Sequence, residues 1–233
     1  MELPNNKPTK QAKRPQTLGE EIANAVSHGV VALMGIWALV VLILASKSGV
    51  QLFASIIYGI SIITLFLMSC LYHSLAFTKA KNVFKRFDHI SIFLLIGGTF
   101  APALLLLPGL QVPLFPNWGL TQGWALFIVQ WIFIIAGIVF KSIWVHKFQA
   151  FHYVIYLILG WSALVFITQL YRFSVPTFWC ILGGGVAYTI GTVFYALSSK
   201  VKYFHFVWHI FVALGAIIQF IGIYFYFYPQ LIA

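Results

Sequence analysis

The sequence predicts an all-α membrane protein, a single bundle of seven transmembrane helices. The first observation is composition: of 233 residues 61% are apolar and 8% are charged, against about 25% charged in an average soluble domain. Four acids and fourteen bases cannot cover a soluble protein of this size, so most of the outer surface must face lipid. This composition excludes an ordinary soluble enzyme.

The second observation is a series of apolar runs close to the roughly 20 residues that cross a bilayer as a helix. These runs are continuously apolar, whereas membrane barrels show shorter alternating segments, so helices are favoured over strands. We expect spans at about 25–46, 51–74, 88–107, 120–140, 150–170, 176–197 and 203–228. The basic, proline-containing residues 1–17 are expected to be a retained cytoplasmic tail, not a signal peptide, and residues 18–233 form the seven-span domain.

The third observation is the placement of basic residues between the spans, which predicts orientation. Only Lys47 and Arg172 fall in the loops of one side. The other side carries Lys7, Lys10, Lys13, Arg14, Lys79, Lys81, Lys85, Arg86, Lys141, Lys147, Lys200 and Lys202. We therefore expect a cytoplasmic amino terminus and an external carboxyl terminus. The same clustering indicates membrane-surface charge and not a nucleic-acid-binding face.

Two further patterns concern packing. Gly183, Ala187 and Gly191 recur every fourth residue in the sixth span, which predicts close helix contact there. Cys70 and Cys180 are expected near opposite faces of the bilayer, too far apart for a disulfide.

Polar residues inside the predicted spans indicate where chemistry could occur. Asp88 is the only carboxylate after Glu21, and an ionisable group at a span is costly unless it is a partner, a ligand or a helix cap. His205 and His209 lie four apart on one helix face, as do Ser69 and His73. The topology brings all five residues to the cytoplasmic side.

Three neutral histidines are typical of catalytic zinc sites, which leave a fourth position for water. In that interpretation Asp88 orients or deprotonates the water, and Ser69 holds it or the oxyanion formed on attack. The residues alone leave alternatives open: Asp88 as a helix cap or a partner of Arg86, interfacial histidines, and a Ser69 hydroxyl bonded to its own helix.

The first helix adds a polar stripe. Thr17 and Glu20 form the pattern of a capping box, and Glu20, Asn24 and His28 then share one face. This stripe either wets the helix end or anchors the metal ligands by hydrogen bonds. We assign no role to His89, His146 or His152.

Several segments together resemble the bacterial hemolysin III family, which is related to the progestin and adipoQ receptors and, more distantly, to the alkaline ceramidases. In chain order they are EEIANAVSHG, SCLYHSL, FDHISIFLLIGGTFAP, WGLTQGWALFIVQWIFIIAGIVFK, GGGVAYTIGTVFY and HFVWHIFVALG. The resemblance implies a seven-span protein of the bacterial inner membrane with zinc near its cytoplasmic face. The family's ligands fall on His73, His205 and His209. Its aspartate and serine fall on Asp88 and Ser69, and its first-span motif falls on Glu20, Asn24 and His28.

The resemblance also implies candidate functions. The related ceramidases hydrolyse a lipid amide, so the expectation is a zinc-dependent hydrolase of membrane lipids or a regulator of lipid homeostasis. A membrane-state sensor with a structural zinc and a pore-forming hemolysin are the alternatives. The sequence indicates a membrane lipid as substrate or ligand and says nothing about oligomeric state.

Overall fold

The computed structural model describes residues 14–145 and 147–232, the side chains of 149 and 150 excepted. Within these ranges the protein is helical and contains no strand, which confirms the all-α prediction. The helices are α1 (Leu18–Ala45), α2 (Gly49–Ser74), α3 (Lys81–Leu106), α4 (Gln122–Ile143), α5 (Gln149–Gly160), α6 (Ile167–Phe173), α7 (Val175–Leu197), α8 (Phe204–Ile221) and α9 (Tyr228–Gln230). The predicted tail lies largely outside the described residues, as does His146.

Six of these segments are long and apolar enough to cross a membrane: α1, α2, α3, α4, α7, and α8 continued through a π-helical segment (Gly222–Phe227) into α9. Large apolar side chains such as Leu33, Leu44 and Trp179 are exposed on their outer faces, as expected where the solvent is lipid. The chain is an integral membrane protein.

The fifth predicted span is not one straight helix. α5 ends at Gly160, a 3-10 segment follows over Trp161–Val165, and α6 continues at an angle of 50°. Ser162 Oγ donates to the Leu159 carbonyl at 2.6 Å, and Trp161 Nε1 donates to Thr189 Oγ1 on α7 at 3.1 Å. These side-chain bonds stabilise the break, which the continuous hydropathy of 150–170 did not reveal.

The start predicted for the third span, residue 88, is too late in the chain. α3 starts at Lys81, so Asp88 lies about two turns inside the helix and cannot be its amino-terminal cap. No ion pair joins Asp88 to Arg86 among the described residues, and His89 Nε2 lies 4.0 Å from Asp88 Oδ2. The structure therefore shows Asp88 neither as the amino-terminal cap of α3 nor as an ion-pair partner of Arg86.

α1 packs between α2 and α8, α3 packs on α2, α4 and α5, and α7 packs on α8. Consecutive long helices run antiparallel, so α1, α3, α5 and α8 begin at the end of the bundle where α2, α4 and α7 finish. We call this the histidine end. It carries Ser74, Lys81 and Phe204.

The small residues of α7 make close contacts with α8, in a register slightly different from the predicted one. A Cβ at Gly191 would lie 2.8 Å from the Trp208 ring, and one at Gly184 would overlap Gln219. Gly183, by contrast, has only an ordinary contact at 3.9 Å. Both cysteines are free, as predicted.

Candidate metal centre

Three histidine rings meet at the histidine end. His73 comes from the last turn of α2, and His205 and His209 come from the first turns of α8. Each offers a ring nitrogen, and these nitrogens all lie within 4.8 Å of one another. His73 and His209 are buried and His205 is partly buried. The predicted trio is thus brought together, close enough to share one metal ion.

The His73 ring is oriented by Glu21 on α1. Its Nδ1 lies 2.6 Å from Glu21 Oε2, and Lys81 Nζ donates to Glu21 Oε1 at 2.8 Å. His73 Nε2 is buried and has no hydrogen-bond partner in the part of the chain that the structure describes. A carboxylate on one nitrogen and an open second nitrogen is the arrangement of a metal-ligating histidine.

Glu21 contacts a histidine of the cluster, and the stripe read from the sequence missed it. The four-residue spacing selected Glu20, Asn24 and His28, whereas Glu21, Asn24 and His28 follow the equally helical three-then-four spacing. Its proximity to Lys81 could not be read from the sequence, because it depends on α1 lying beside the start of α3.

Asn24 and His28, which also belong to the polar stripe of α1, contact His209. The His28 ring stacks on the His209 ring with centroids 3.7 Å apart, and His28 Nε2 lies 3.3 Å from the His209 carbonyl oxygen. The Asn24 carbonyl lies 3.3 Å from His209 Nδ1. Asn24 Nδ2 also reaches His73 Nδ1, at 3.5 Å. α1 therefore lines the back of the cluster.

Glu20 points elsewhere. It accepts from Thr17 in the capping box, pairs with Arg14, and accepts from the Tyr203 backbone N–H at 2.8 Å. The hydrogen bond from Arg14 to Glu20 raises the pKa of the guanidinium. Tyr203 has a left-handed backbone with φ of 62°, which is uncommon for tyrosine. Glu20 thus fixes the turn from which α8 starts and does not touch the three-histidine cluster.

Asp88 and Ser69 lie beside the histidines on the wall of a cavity of about 310 Å³. The Ser69 hydroxyl is close enough to interact with the Asp88 carboxylate. Asp88 is also within electrostatic range of His73. The cavity runs from His205 and His209 towards Gln219 between mostly apolar walls.

Two other polar groups approach this cavity. Lys141 belongs to the last turn of α4 and is 1% exposed, so it is a buried residue of the cavity wall and not the loop cation that the hydropathy pattern indicated. His89 also lines the cavity, and its backbone carbonyl accepts from Tyr156 of α5 at 2.9 Å. His152, at the start of α5, is buried against Phe140 and stands apart from the cluster.

The donor set suits a transition metal. Neutral imidazoles bind zinc, copper, iron and nickel, and a site of three imidazoles with an open position is typical of catalytic zinc. The open Nε2 of His73 and the carboxylate on its Nδ1 fit such an ion.

Comparison with known proteins shows relatives along nearly the whole chain. The family described as "Haemolysin-III related" matches residues 16–220. The chain belongs to the haemolysin-III family. It is 38% identical to Hemolysin-3 of Bacillus cereus over 94% of this chain and 97% of that protein. It is 36% identical to a Hemolysin-3 homolog of Bacillus subtilis (strain 168), over 90% and 95%.

The chain also has a more distant relative that matches along nearly its whole length. Monocyte to macrophage differentiation factor of Homo sapiens is 23% identical over 96% of this chain and 91% of its own length. The matched region 16–220 contains the whole histidine cluster with Glu21, Ser69 and Asp88. The site described above therefore lies within the haemolysin-III domain itself.

Proposed function

We propose that this haemolysin-III protein is a zinc-dependent hydrolase that cleaves an amide bond in a membrane lipid, with its histidine end in the cytoplasm of a bacterial cell. The observation that carries the proposal is the combination of three clustered histidines with a carboxylate and a hydroxyl at one end of an apolar cavity. A metal site alone would fit many roles. A metal site that opens into a space shaped for an apolar chain favours a lipid.

His73, His205 and His209 would hold the zinc, which when bound supplies Lewis-acid polarisation of the scissile carbonyl and activation of water. Asp88 would take a proton from the attacking water and return it to the leaving amine. The Ser69 hydroxyl beside it can donate a hydrogen bond to the oxygen on which negative charge develops. Glu21 would hold the His73 ring in position during the attack of water and the departure of the amine.

The rest of the cavity would bind the acyl chain. Side chains such as Leu95, Ile96 and Phe100 of α3 and Val212 of α8 form its walls. Burying the chain there replaces water around apolar surface, at about 25 cal/mol per Å². It also keeps bulk water away from Asp88.

A second candidate is a pore, because the relatives in Bacillus cereus and Bacillus subtilis are named as hemolysins. A pore needs an open polar channel through the bundle. The described core instead contains packed apolar side chains such as Leu65, Phe66, Phe100 and Ala213. The cavity beside them is mostly apolar. This packing favours hydrolysis over conductance.

The test uses purified protein in liposomes, assayed in parallel for fatty-acid release from amide-linked lipids and for leakage of a trapped dye. The proposal predicts zinc-dependent release with negligible leakage. Ser69→Ala should lower the rate, whereas Ser74→Ala, an exposed serine at the end of the same helix, should not. Asp88→Asn should abolish release and keep the metal.

Leakage that persists without zinc and without acid release would support the pore. Absence of both signals, together with zinc-dependent changes in structure, would support a membrane-state sensor.

A further inference from the structure

The deep end of the cavity, away from the histidines, holds a group of buried polar atoms. Tyr188 and Gln219 line it. The Tyr188 hydroxyl and Gln219 Oε1 are buried and have no hydrogen-bond partner among the described residues, and the same is true of the Tyr58 hydroxyl. Tyr58 and Gln219 are 1% and 3% exposed. We call these three residues the deep polar group.

Helix packing fixes where these side chains lie. Tyr188 sits on Gly215 of α8, where an added Cβ would be 2.6 Å from the ring, and Gln219 sits on Gly184 of α7. Gly184 and Tyr188 are four residues apart on α7, and Gly215 and Gln219 are four apart on the antiparallel α8, so Tyr188 and Gln219 lie about one helical turn apart on the two facing helices. Gln219 Nε2 donates to the Ile181 carbonyl at 3.3 Å, which leaves its Oε1 for another donor. Tyr58 approaches from α2, within electrostatic range of Tyr188.

Such atoms are costly inside a membrane protein. A buried polar group without a partner costs about 1–3 kcal/mol, and polar side chains within spans commonly mark a substrate path or binding site. Packing needs alone would be met by phenylalanine and leucine. Two of these hydrogen-bonding groups, Tyr188 and Gln219, line one cavity, with the Tyr58 hydroxyl within electrostatic range of Tyr188, and this placement indicates a polar group of a ligand.

The chemistry of the atoms specifies that group. Gln219 Oε1 can only accept a hydrogen bond, whereas the tyrosine hydroxyls can donate or accept. A carbonyl would leave Gln219 Oε1 without a donor, and a charged group would be buried with no opposite charge among these three residues. A hydroxyl group of the ligand satisfies both residues, because it donates to Gln219 Oε1 and accepts from the Tyr188 hydroxyl.

The separation from the metal centre sets the position of this hydroxyl along a chain. His209 and Gln219 are ten residues apart on α8, which corresponds to about 15 Å at the helical rise of about 1.5 Å per residue. A lipid whose carbonyl lies at the histidines would reach the deep polar group near the middle of a long acyl chain.

We propose that Tyr188 and Gln219 form a subsite for a hydroxyl group carried by the acyl chain, so that the cavity prefers mid-chain-hydroxylated lipids. This inference rests on the proposed function, since it assumes that an acyl chain enters the cavity from the histidine end.

The test compares binding of oleate and ricinoleate, which is oleate with one mid-chain hydroxyl, by displacement of a fluorescent fatty acid from purified zinc-loaded protein. One net hydrogen bond corresponds to about two- to tenfold tighter binding of ricinoleate. Tyr188→Phe removes a single hydroxyl and should abolish this preference, so that ricinoleate binds no more tightly than oleate. Tyr171→Phe, an exposed tyrosine of α6, is the matched control and should keep it.

Equal affinity of the wild-type protein for both acids would overturn the subsite and leave the proposed function standing. If neither acid binds, both the subsite and the proposed acyl-chain cavity would be overturned. If Tyr188→Phe does not fold, Gln219→Met, which removes the acceptor at similar length, replaces it. A ricinoleate preference that survives this second change would also overturn the assignment.

Discussion

Replacement of Glu21 by glutamine tests how the metal centre is built. The change keeps the shape of the side chain but removes the charge that faces His73 Nδ1 at 2.6 Å and Lys81 Nζ at 2.8 Å. Both partners of the histidine contact are shielded from solvent, with side-chain exposures of 1% for His73 and 5% for Glu21. The contact is therefore little screened by water.

The expected magnitude follows from the two hydrogen bonds being compared. A bond to a charged group contributes about 1.5–3 kcal/mol and a neutral one about 0.5–1.5 kcal/mol. The difference of about 1–1.5 kcal/mol corresponds to roughly five- to thirteenfold weaker metal binding. The upper value reaches the lower end of the roughly 10–100-fold range known for residues that orient metal-ligating histidines.

The assay is zinc competition between purified protein and a chromophoric chelator, with Glu20→Gln as control. Glu20 is the adjacent acid and loses the same charge, but its contacts are Arg14, Thr17 and Tyr203. Glu20→Gln should therefore lower the thermal stability and change zinc affinity less than Glu21→Gln does, because Glu20 is within electrostatic range of His205 but makes its hydrogen bonds elsewhere. Zinc affinity of Glu21→Gln within twofold of wild type, or an equal loss in both variants, would refute the reasoning.

Three further predictions concern metal linkage, helix packing and topology. A chelator should lower the Tm of the wild-type protein, because a zinc ion held by the three histidines would tie α2 to α8 and would add its binding free energy to folding; an unchanged Tm would show that the histidines hold no ion of structural consequence. Gly184→Ala places a Cβ against Gln219 and should cost about 1–3 kcal/mol of unfolding free energy, whereas Gly183→Ala, with its nearest contact at 3.9 Å, should cost much less in the same denaturation assay. Reporter fusions at the two ends should give opposite signals, amino terminus cytoplasmic and carboxyl terminus external, and identical signals would contradict the distribution of basic residues.

Much of the fold followed from the sequence, because lipid imposes simple rules on hydropathy and length. The runs predicted at 51–74 and 176–197 match α2 and α7 closely. The break after Gly160 was invisible, since it depends on bonds from Ser162 and Trp161 that an apolar window does not register. The start of α3 at Lys81 was missed for the opposite reason, because a polar helical turn outside the bilayer carries no hydropathy signal.

In the candidate site, too, patterns within one helix were predictable from the sequence and contacts between helices were not. Four-residue spacings within one helix correctly paired His205 with His209, and the crossing count brought His73 to the same end. Contacts between helices were harder to predict from the sequence. The choice of Glu21 over Glu20 as the partner of His73 depends on how α1 is rotated against α2, and the burial of Lys141 depends on α4 extending to Ile143.

Metal content tests the central claim most directly. Elemental analysis of purified wild-type protein, His209→Ala and His152→Ala should give about one zinc per chain in the wild type, little in His209→Ala and an unchanged amount in His152→Ala, whose buried ring lies outside the cluster. Equal metal content in the wild type and His209→Ala, whether one ion or none, would contradict the claim that these histidines form a zinc centre.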